Sequence, residues 1–268
     1  MKARLKTPIT YYGGKQQLLT TILPLIPEHN LYCEPFCGGA AVFWGKEPSP
    51  VEVINDINSE VINFYTVMQT KFEALYAMIE ATLHSRKHHQ DAEVIYKNPH
   101  LFTDVDRAWA FWVQCNQSFS SKICAGWAYA RKKNSCEKKT YHNKERFKEV
   151  FKDRLKFVQI ESNHAVKVIN SRDCEEAFFY VDPPYPESNQ GHYAGYKLTD
   201  FEELLDTLAN IKGKFLLSSY DYDMLDNTVK KHKWHQIKKE MFITASKGET
   251  GKGRTKKKIE VFTSNYPI

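Results

Sequence analysis

The chain has 268 residues, 42% of them hydrophobic and 26% charged, the composition of a folded globular protein able to bury its own core. Its longest apolar runs fall far short of the ~20 residues that cross a bilayer, and the basic N-terminus leads into Thr10, Tyr11, Tyr12 and Gly13 without the apolar core of a signal peptide. A cytoplasmic protein that does not span a membrane is expected, with its six cysteines read as free thiols because no Cys-x-x-Cys pair occurs; the net charge of +6 suits a polyanionic partner without requiring one.

In chain order, residues 18–26 predict a helix, 31–34 a strand, and the Gly38-Gly39 pair a turn that opens a helix at 40–44. Residues 51–54 predict a second strand ending in Asn55-Asp56, followed by a helix from Ser59 to about Met68. The middle of the chain shows helical periodicity, at Phe72, Leu75, Tyr76 and Ile79 and again at Ala108, Phe111 and Trp112, with no strong strand run. Its end, 131–156, holds eleven basic residues against four acidic ones. Strands are then predicted at 157–160, 178–181, 214–218 and 259–263, with helices near 201–210 and 222–231. Strands alternating with helices predict an α/β fold around a parallel or mostly parallel sheet with helices on both faces. The expected organisation is one domain from 1–65 and 155–268, interrupted by a mostly helical insertion at 66–154.

In an open α/β sheet, ligands bind outside the carboxyl ends of the strands, and three segments stand there. Glu34-Pro35-Phe36-Cys37-Gly38-Gly39-Ala40 brings glycines that let backbone approach a ligand, although a double glycine before a helix is also an ordinary turn. It lacks the Gly-x-Gly-x-x-Gly of a dinucleotide fold and the Lys-Ser/Thr of a P-loop, which counts against NAD and ATP. Asp56 suits a pair of ribose hydroxyls and equally suits a helix cap. In Asp182-Pro183-Pro184-Tyr185 two prolines remove two backbone donors, leaving a stiff, acceptor-rich turn with a carboxylate and an aromatic face. Such a turn can accept both hydrogens of an exocyclic amine; its bland alternative is a rigid surface turn.

Tyr11-Tyr12-Gly13-Gly14-Lys15, then Glu34-Pro35-Phe36-Cys37-Gly38-Gly39, then Asn55-Asp56, then Asp182-Pro183-Pro184-Tyr185, in this order over nearly the whole chain, resemble the DNA adenine-N6 methyltransferases of the Dam type (D12 class). The resemblance implies a Rossmann-like methyltransferase fold that binds S-adenosylmethionine, with 66–154 as a target-recognition insertion and double-stranded DNA as substrate, a monomer being the simplest working form. Carried over by position, it implies cofactor contacts from Tyr11, Lys15, Phe36, Cys37, Gly38, Gly39, Asp56 and Asp182, and places Asp182, Pro183, Pro184 and Tyr185 at a flipped-out adenine. Glu161-Ser162 falls, by a looser match, near the cofactor's adenine. No covalent nucleophile is implied, so Cys37 is read as packing. A bacterial or phage origin, and a place in restriction-modification, are also implied.

DNA contacts are expected from Asn116, Ser118 and Lys122, where the family has its base-reading elements, and from Arg131, Lys132, Lys133, Tyr193, Arg254 and Lys256, of which the basic side chains can meet phosphates. The segment departs from the Gly-x-Phe-Asn-Val-Pro-like text of GATC readers, so GATC specificity is not implied. His84 and His88, at helical spacing near Asp91 and Glu93, are read as a polar helix face rather than a metal site. The alternatives weighed are N4-cytosine or RNA adenine methylation with the same turn, and a catalytically silent DNA-binding module; a nicotinamide oxidoreductase fails on the glycine pattern.

Overall fold

The computed structural model describes residues 4–133, 135–186, 195–243 and 256–268, with backbone alone at 241–243 and 256–258. Its elements in chain order are α1 (Leu19–Ile22), β1 (Leu31–Glu34), α2 (Ala41–Gly45), β2 (Val51–Asn55), α3 (Ser59–Thr70), α4 (Phe72–Ala81), α5 (Arg86–Lys97), α6 (Asp104–Gln117), α7 (Ser135–Arg146) and α8 (Val150–Leu155). There follow β3 (Gln159–Glu161), α9 (Ala165–Arg172), β4 (Ala177–Val181), α10 (Leu198–Asn210), β5 (Lys214–Ser219), α11 (Asp223–His232), β6 (His235–Ile243) and β7 (Lys256–Ser264). The chain is mixed α/β and divides into two compact units, the first Met1–Pro24 with Phe36–Ala165, the second Leu25–Pro35 with Val166–Ile268.

The first unit is largely helical and holds β2 paired in parallel with β3. Two helix starts follow from their caps: Asn58 Oδ1 accepts from the Glu60 amide at 3.0 Å to open α3, and Thr103 and Asp106 form a reciprocal capping box at α6. Helix α6 is the hub, with every residue from Ala108 to Gln117 buried against α3, α4 and α5. Burying a side chain such as Phe111 or Val113 contributes roughly 1.5–3 kcal/mol. At one edge Glu52 of β2 is buried with Lys46, 2.6 Å away, and a bidentate Arg154, all three side chains at most 6% exposed. Burial alone would raise the Glu52 carboxyl, but the hydrogen bonds and charges of Arg154 and Lys46 outweigh it and hold it below its ordinary range. The boundary expected at 65/66 falls inside α3, where Phe64, Tyr65, Val67 and Met68 are all buried.

In the second unit the strands lie in the order β1-β4-β5-β7-β6. Pairing is parallel from β1 through β4 to β5, and antiparallel from β5 to β7 and from β7 to β6. Strand β4, Ala177-Phe178-Phe179-Tyr180-Val181, is buried at every residue, as expected of a parallel strand covered on both faces. Strand β6 has no counterpart in the sequence expectation. Its text, His235-Gln236-Ile237-Lys238-Lys239-Glu240, carries the charges of an edge strand rather than the apolar run of a central one. The strand expected at 157–160 begins later, because Val158 N–H bonds the Leu155 carbonyl at 2.9 Å to close α8 and leaves Phe157 85% exposed. Among the described residues no helix is long and apolar enough to cross a membrane.

Candidate active site

In the first unit the glycine turn is held by the end of β2. Cys37 N–H donates to the Asn55 carbonyl at 2.8 Å and Gly38 N–H to Asp56 Oδ2 at 2.9 Å. The other oxygen, Asp56 Oδ1, accepts from Asn58 N–H at 2.8 Å, and the Tyr65 hydroxyl donates to the Gly38 carbonyl at 2.9 Å. Asp56 is thus both the cap-like and the turn-locking group, 2% exposed. Glu161 and Ser162 stand beside it, the Glu161 carbonyl accepting from Asp56 N–H at 3.4 Å and the Ser162 hydroxyl reaching the Asp56 carbonyl at 3.3 Å. The helix that follows, α2, is only five residues long and is entered through Ala40 at φ 50°.

Tyr11 explains the glycines. An added Cβ at Gly38 would stand 2.6 Å from Tyr11 Cε1, at a φ of +45°, and one at Gly39 would stand 2.8 Å from Tyr11 Cβ. Tyr11 itself opens a β-turn closed by Gly14 N–H on its carbonyl at 3.1 Å, with Gly13 at φ 76°. Lys15 is buried, its ammonium 3.3 Å from the Gly13 carbonyl. The structure therefore brings Tyr11, Lys15, Gly38, Gly39 and Asp56 into one constellation flanked by half-buried Phe36 and buried Cys37. Tyr65 was not singled out by sequence, since a tyrosine in a helical run carries no signal of its target.

In the second unit the chain leaves β4 into Asp182-Pro183-Pro184-Tyr185. Asp182, Pro184 and Tyr185 are half-buried and Pro183 is buried. The Tyr185 hydroxyl lies 2.6 Å from Glu260 Oε1 and 3.2 Å from Asp182 Oδ1, while its ring meets Tyr220 edge-on at 4.3 Å between centroids. Tyr222 donates to the Pro186 carbonyl at 2.7 Å, and Tyr180, beneath the turn, pairs with Ser218 at 3.0 Å. Burial first, then the charges of Asp182 and Glu260, push the Tyr185 phenol well above its ordinary range, and Tyr180 moves the same way, with Glu34 adding to the field. Both phenols are neutral at physiological pH. The result is a turn rich in acceptors in a field of negative charge, suited to a group that donates hydrogens and gains positive charge. Glu260, Tyr220 and Ser218 were missed from sequence; the available signal was a carboxylate inside the otherwise apolar run 259–263.

The expected DNA contacts separate. Asn116 is buried and structural, its Oδ1 accepting from Thr10 N–H at 3.3 Å and from Asn143 Nδ2 at 2.6 Å, so it anchors the segment that leads into Tyr11. Ser118 is also buried, donating to Gln114 Oε1 and meeting His89 Nε2. Lys122 is half-buried over the Tyr12 ring at 4.9 Å, whereas Arg131, Lys132 and Lys133 are exposed. Arg131 belongs to a surface ladder: Trp127 and Tyr129 stack at 5.8 Å, with Arg86 and Arg131 guanidinium groups over Tyr129 at 5.8 and 5.7 Å. A short hairpin carries it, with Phe119 N–H bonding the Gly126 carbonyl and Ala128 N–H the Gln117 carbonyl. Others of the basic run are tied down, Arg154 on Glu52 and Lys152 on Glu73. Tyr193 and Arg254 lie outside the described residues, and Lys256 is described only as the backbone start of β7.

The histidines do not form the polar helix face expected. His84 precedes α5 and packs on Trp127 at 4.9 Å, His88 Nδ1 accepts from Leu83 N–H, and His89 is buried. Among the described residues no three or more His, Cys, Asp or Glu converge as metal ligands.

Comparison with known proteins matches residues 11–243 to the model of the D12 class N6 adenine-specific DNA methyltransferases. A type II methyltransferase, M1.LlaDCHI, from Lactococcus lactis subsp. cremoris is 28% identical over 99% of this chain and 97% of its own. The DNA adenine methylase of Salmonella typhi is 24% identical, and that of Escherichia coli strain K12 22% identical, each over 96% of this chain and 94% of its own.

Proposed function

Since the chain belongs to the D12 class of N6 adenine-specific DNA methyltransferases, with a Rossmann-like α/β fold and site-specific methylation of adenine N6 in DNA as its activity, we propose which of its residues do that work. The observation that carries the assignment is the acceptor-rich Asp182-Pro183-Pro184-Tyr185 turn at the end of β4, set among Glu260, Glu34 and two neutral phenols.

The methyl donor is S-adenosylmethionine, and the residues present fit it. Asp56, a buried carboxylate whose oxygens lie at the Gly38 and Asn58 amides, suits ribose hydroxyls, and the Asp182 carboxylate suits a cation. Tyr11, Lys15, Phe36, Cys37, Gly38, Gly39 and Asp56 would hold it, and Asp182 is the further cofactor contact proposed. When bound, the cofactor supplies an electrophilic methyl on a sulfonium.

The protein's part is to make a poor nucleophile competent. The adenine amine delocalises its lone pair into the ring; Asp182 and the Pro183 carbonyl, by accepting its two hydrogens, favour a pyramidal nitrogen and stabilise the positive charge that develops there. The target base is flipped out of the duplex at a cost of a few kcal/mol, which packing on the Tyr185 ring partly offsets. Pro184 keeps the turn rigid. Cys37 takes no covalent part.

Residues 66–154 serve as the target-recognition insertion. The exposed Arg131, Lys132 and Lys133, with the Trp127–Tyr129 ladder, contact double-stranded DNA there. A cytoplasmic enzyme of bacterial or phage origin, acting as a monomer and as the modification partner of a restriction system, fits the relatives' character. The test is transfer of labelled methyl from S-adenosylmethionine to unmethylated plasmid DNA, with Asp182→Ala in parallel. N6-methyladenine from the wild type and a loss of about 10²–10³ in kcat in the variant is the expected result; an undiminished variant would overturn the assignment.

A further inference from the structure

Glu260 is a buried carboxylate on β7, 6% exposed and 75 residues beyond the turn it touches. A phenol has one proton to give. The Tyr185 hydroxyl has two carboxylate oxygens within reach, Glu260 Oε1 at 2.6 Å and Asp182 Oδ1 at 3.2 Å, and the shorter contact takes the proton. This matters because Asp182 works as an acceptor. A phenol donating to it would draw off the electron density that the adenine amine needs, and in a partly desolvated setting such charge-assisted bonds are strong.

We infer that Glu260 is a positioning residue for methyl transfer: it engages the Tyr185 hydroxyl, so that this proton is kept from Asp182 and the Tyr185 ring is held against Tyr220. The inference rests on the acceptor role proposed above for Asp182. Tyr185 thus has two separable parts, a ring that packs and a hydroxyl that must be kept occupied. The neighbouring chain geometry supports a fixed rather than adaptable contact, because Val261, the residue after Glu260, is paired in register with Ser219, the residue before Tyr220.

The prediction is a rescue, which a merely structural role would not give. Glu260→Ala frees the phenol to donate to Asp182 and lowers kcat about tenfold, with KM for DNA and for S-adenosylmethionine within about twofold. Adding Tyr185→Phe, which keeps the ring and removes the proton, restores kcat to the level of the Tyr185→Phe variant alone. A folded Glu260→Ala protein with wild-type kcat overturns the inference, and so does a double variant whose losses multiply. Should Glu260→Ala melt prematurely, Glu260→Gln serves: the amide is a weaker acceptor, so kcat falls about threefold and Tyr185→Phe restores it, absence of either effect again being fatal. Asp182→Ala is the reference. If it too keeps full activity, the acceptor role of Asp182 has failed; if it alone is inactive, only the inference about Glu260 has.

Discussion

Each unit holds one of the turns proposed above for the chemistry, and the two turns are built by different means. In the first unit the turn at 37–40 is held through its own main-chain groups: the Cys37 amide on the Asn55 carbonyl, the Gly38 amide on the Asp56 carboxylate, and the Gly38 carbonyl under the Tyr65 hydroxyl. In the second, Tyr185 is fixed by side chains that arrive from β7 and from the segment after β5, and its hydroxyl reaches Asp182 in turn. A main-chain cradle depends on backbone conformation and is spoiled by a single added carbon. A side-chain cradle tolerates such changes but depends on which group holds each proton. The two should therefore fail differently, in cofactor affinity on one side and in turnover on the other.

The largest effects are expected from the two aspartates. Asp182→Ala, which would remove the proposed amine acceptor, should lower kcat as set out above. Asp56→Ala should act on affinity instead, weakening S-adenosylmethionine binding by about 10- to 100-fold, since hydrogen bonds to a charged group contribute about 1.5–3 kcal/mol each. Calorimetric titration of the cofactor against both variants checks this. Equal affinity in the Asp56 variant and the wild type would remove the first unit's turn from the cofactor site.

Next comes Gly38→Ala. The new Cβ would lie 2.6 Å from the Tyr11 ring at a φ of +45°, so the ring must shift and the backbone is strained, together about 1–3 kcal/mol. A lowered unfolding midpoint with weakened cofactor binding is expected. Gly13→Ala provides the contrast: it shares a positive φ but meets no atom within 4 Å, so it should carry the strain alone and lose less.

The same contrast explains what could be read from the sequence. The glycine turn, Asp56 and the Asp-Pro-Pro-Tyr turn are contiguous strings whose residue types dictate local backbone, and the structure places each of them at a strand end. Strands β1, β2, β4 and β5 were legible because buried parallel strands are short apolar runs bounded by breakers. Strand β6 was not, its charges being those of an edge. Glu260 meets Tyr185 only because β7 folds back antiparallel on β5, and Asn116 became an anchor only because Thr10 and Asn143 converge on it. Composition showed the basic run at 131–156, but could not show that Arg154 would be buried on Glu52 while Arg131 stayed in solvent.

A smaller effect distinguishes the units by pH. In the second unit Tyr180, Tyr185, Tyr196 and Tyr266 are all raised above the ordinary phenol range, chiefly by burial, while in the first Tyr96 is pushed up to about 12. A folded pKa raised above the unfolded value stabilises fully below the unfolded pKa, about 10, and that stability is lost as pH rises through the folded value. Glu52 of the first unit has the opposite sign: its lowered pKa stabilises above the ordinary Glu range and is lost as pH falls. Hydrogen exchange followed by unit should show the second loosening first above pH 10 and the first loosening first in acid. Protection lost in the reverse order would contradict this assignment.

The smallest expected effect concerns charge at the surface. Arg131, Lys132 and Lys133 of the first unit are exposed, whereas Lys238 of the second is held by Asp221 at 2.8 Å. Each cation that neutralises a phosphate contributes about 0.9 to the slope of log affinity against log salt. Replacing all three first-unit residues by alanine should flatten that slope by as much as about 2.7 while weakening DNA binding only severalfold at moderate salt, because phosphate contacts are individually weak and screened. Lys238→Ala should leave the slope unchanged, since its charge is already paired. Fluorescence anisotropy over a salt series reads both directly. A flattened slope in Lys238→Ala with none in the triple variant would move the DNA backbone to the second unit, and with it the recognition role proposed for 66–154.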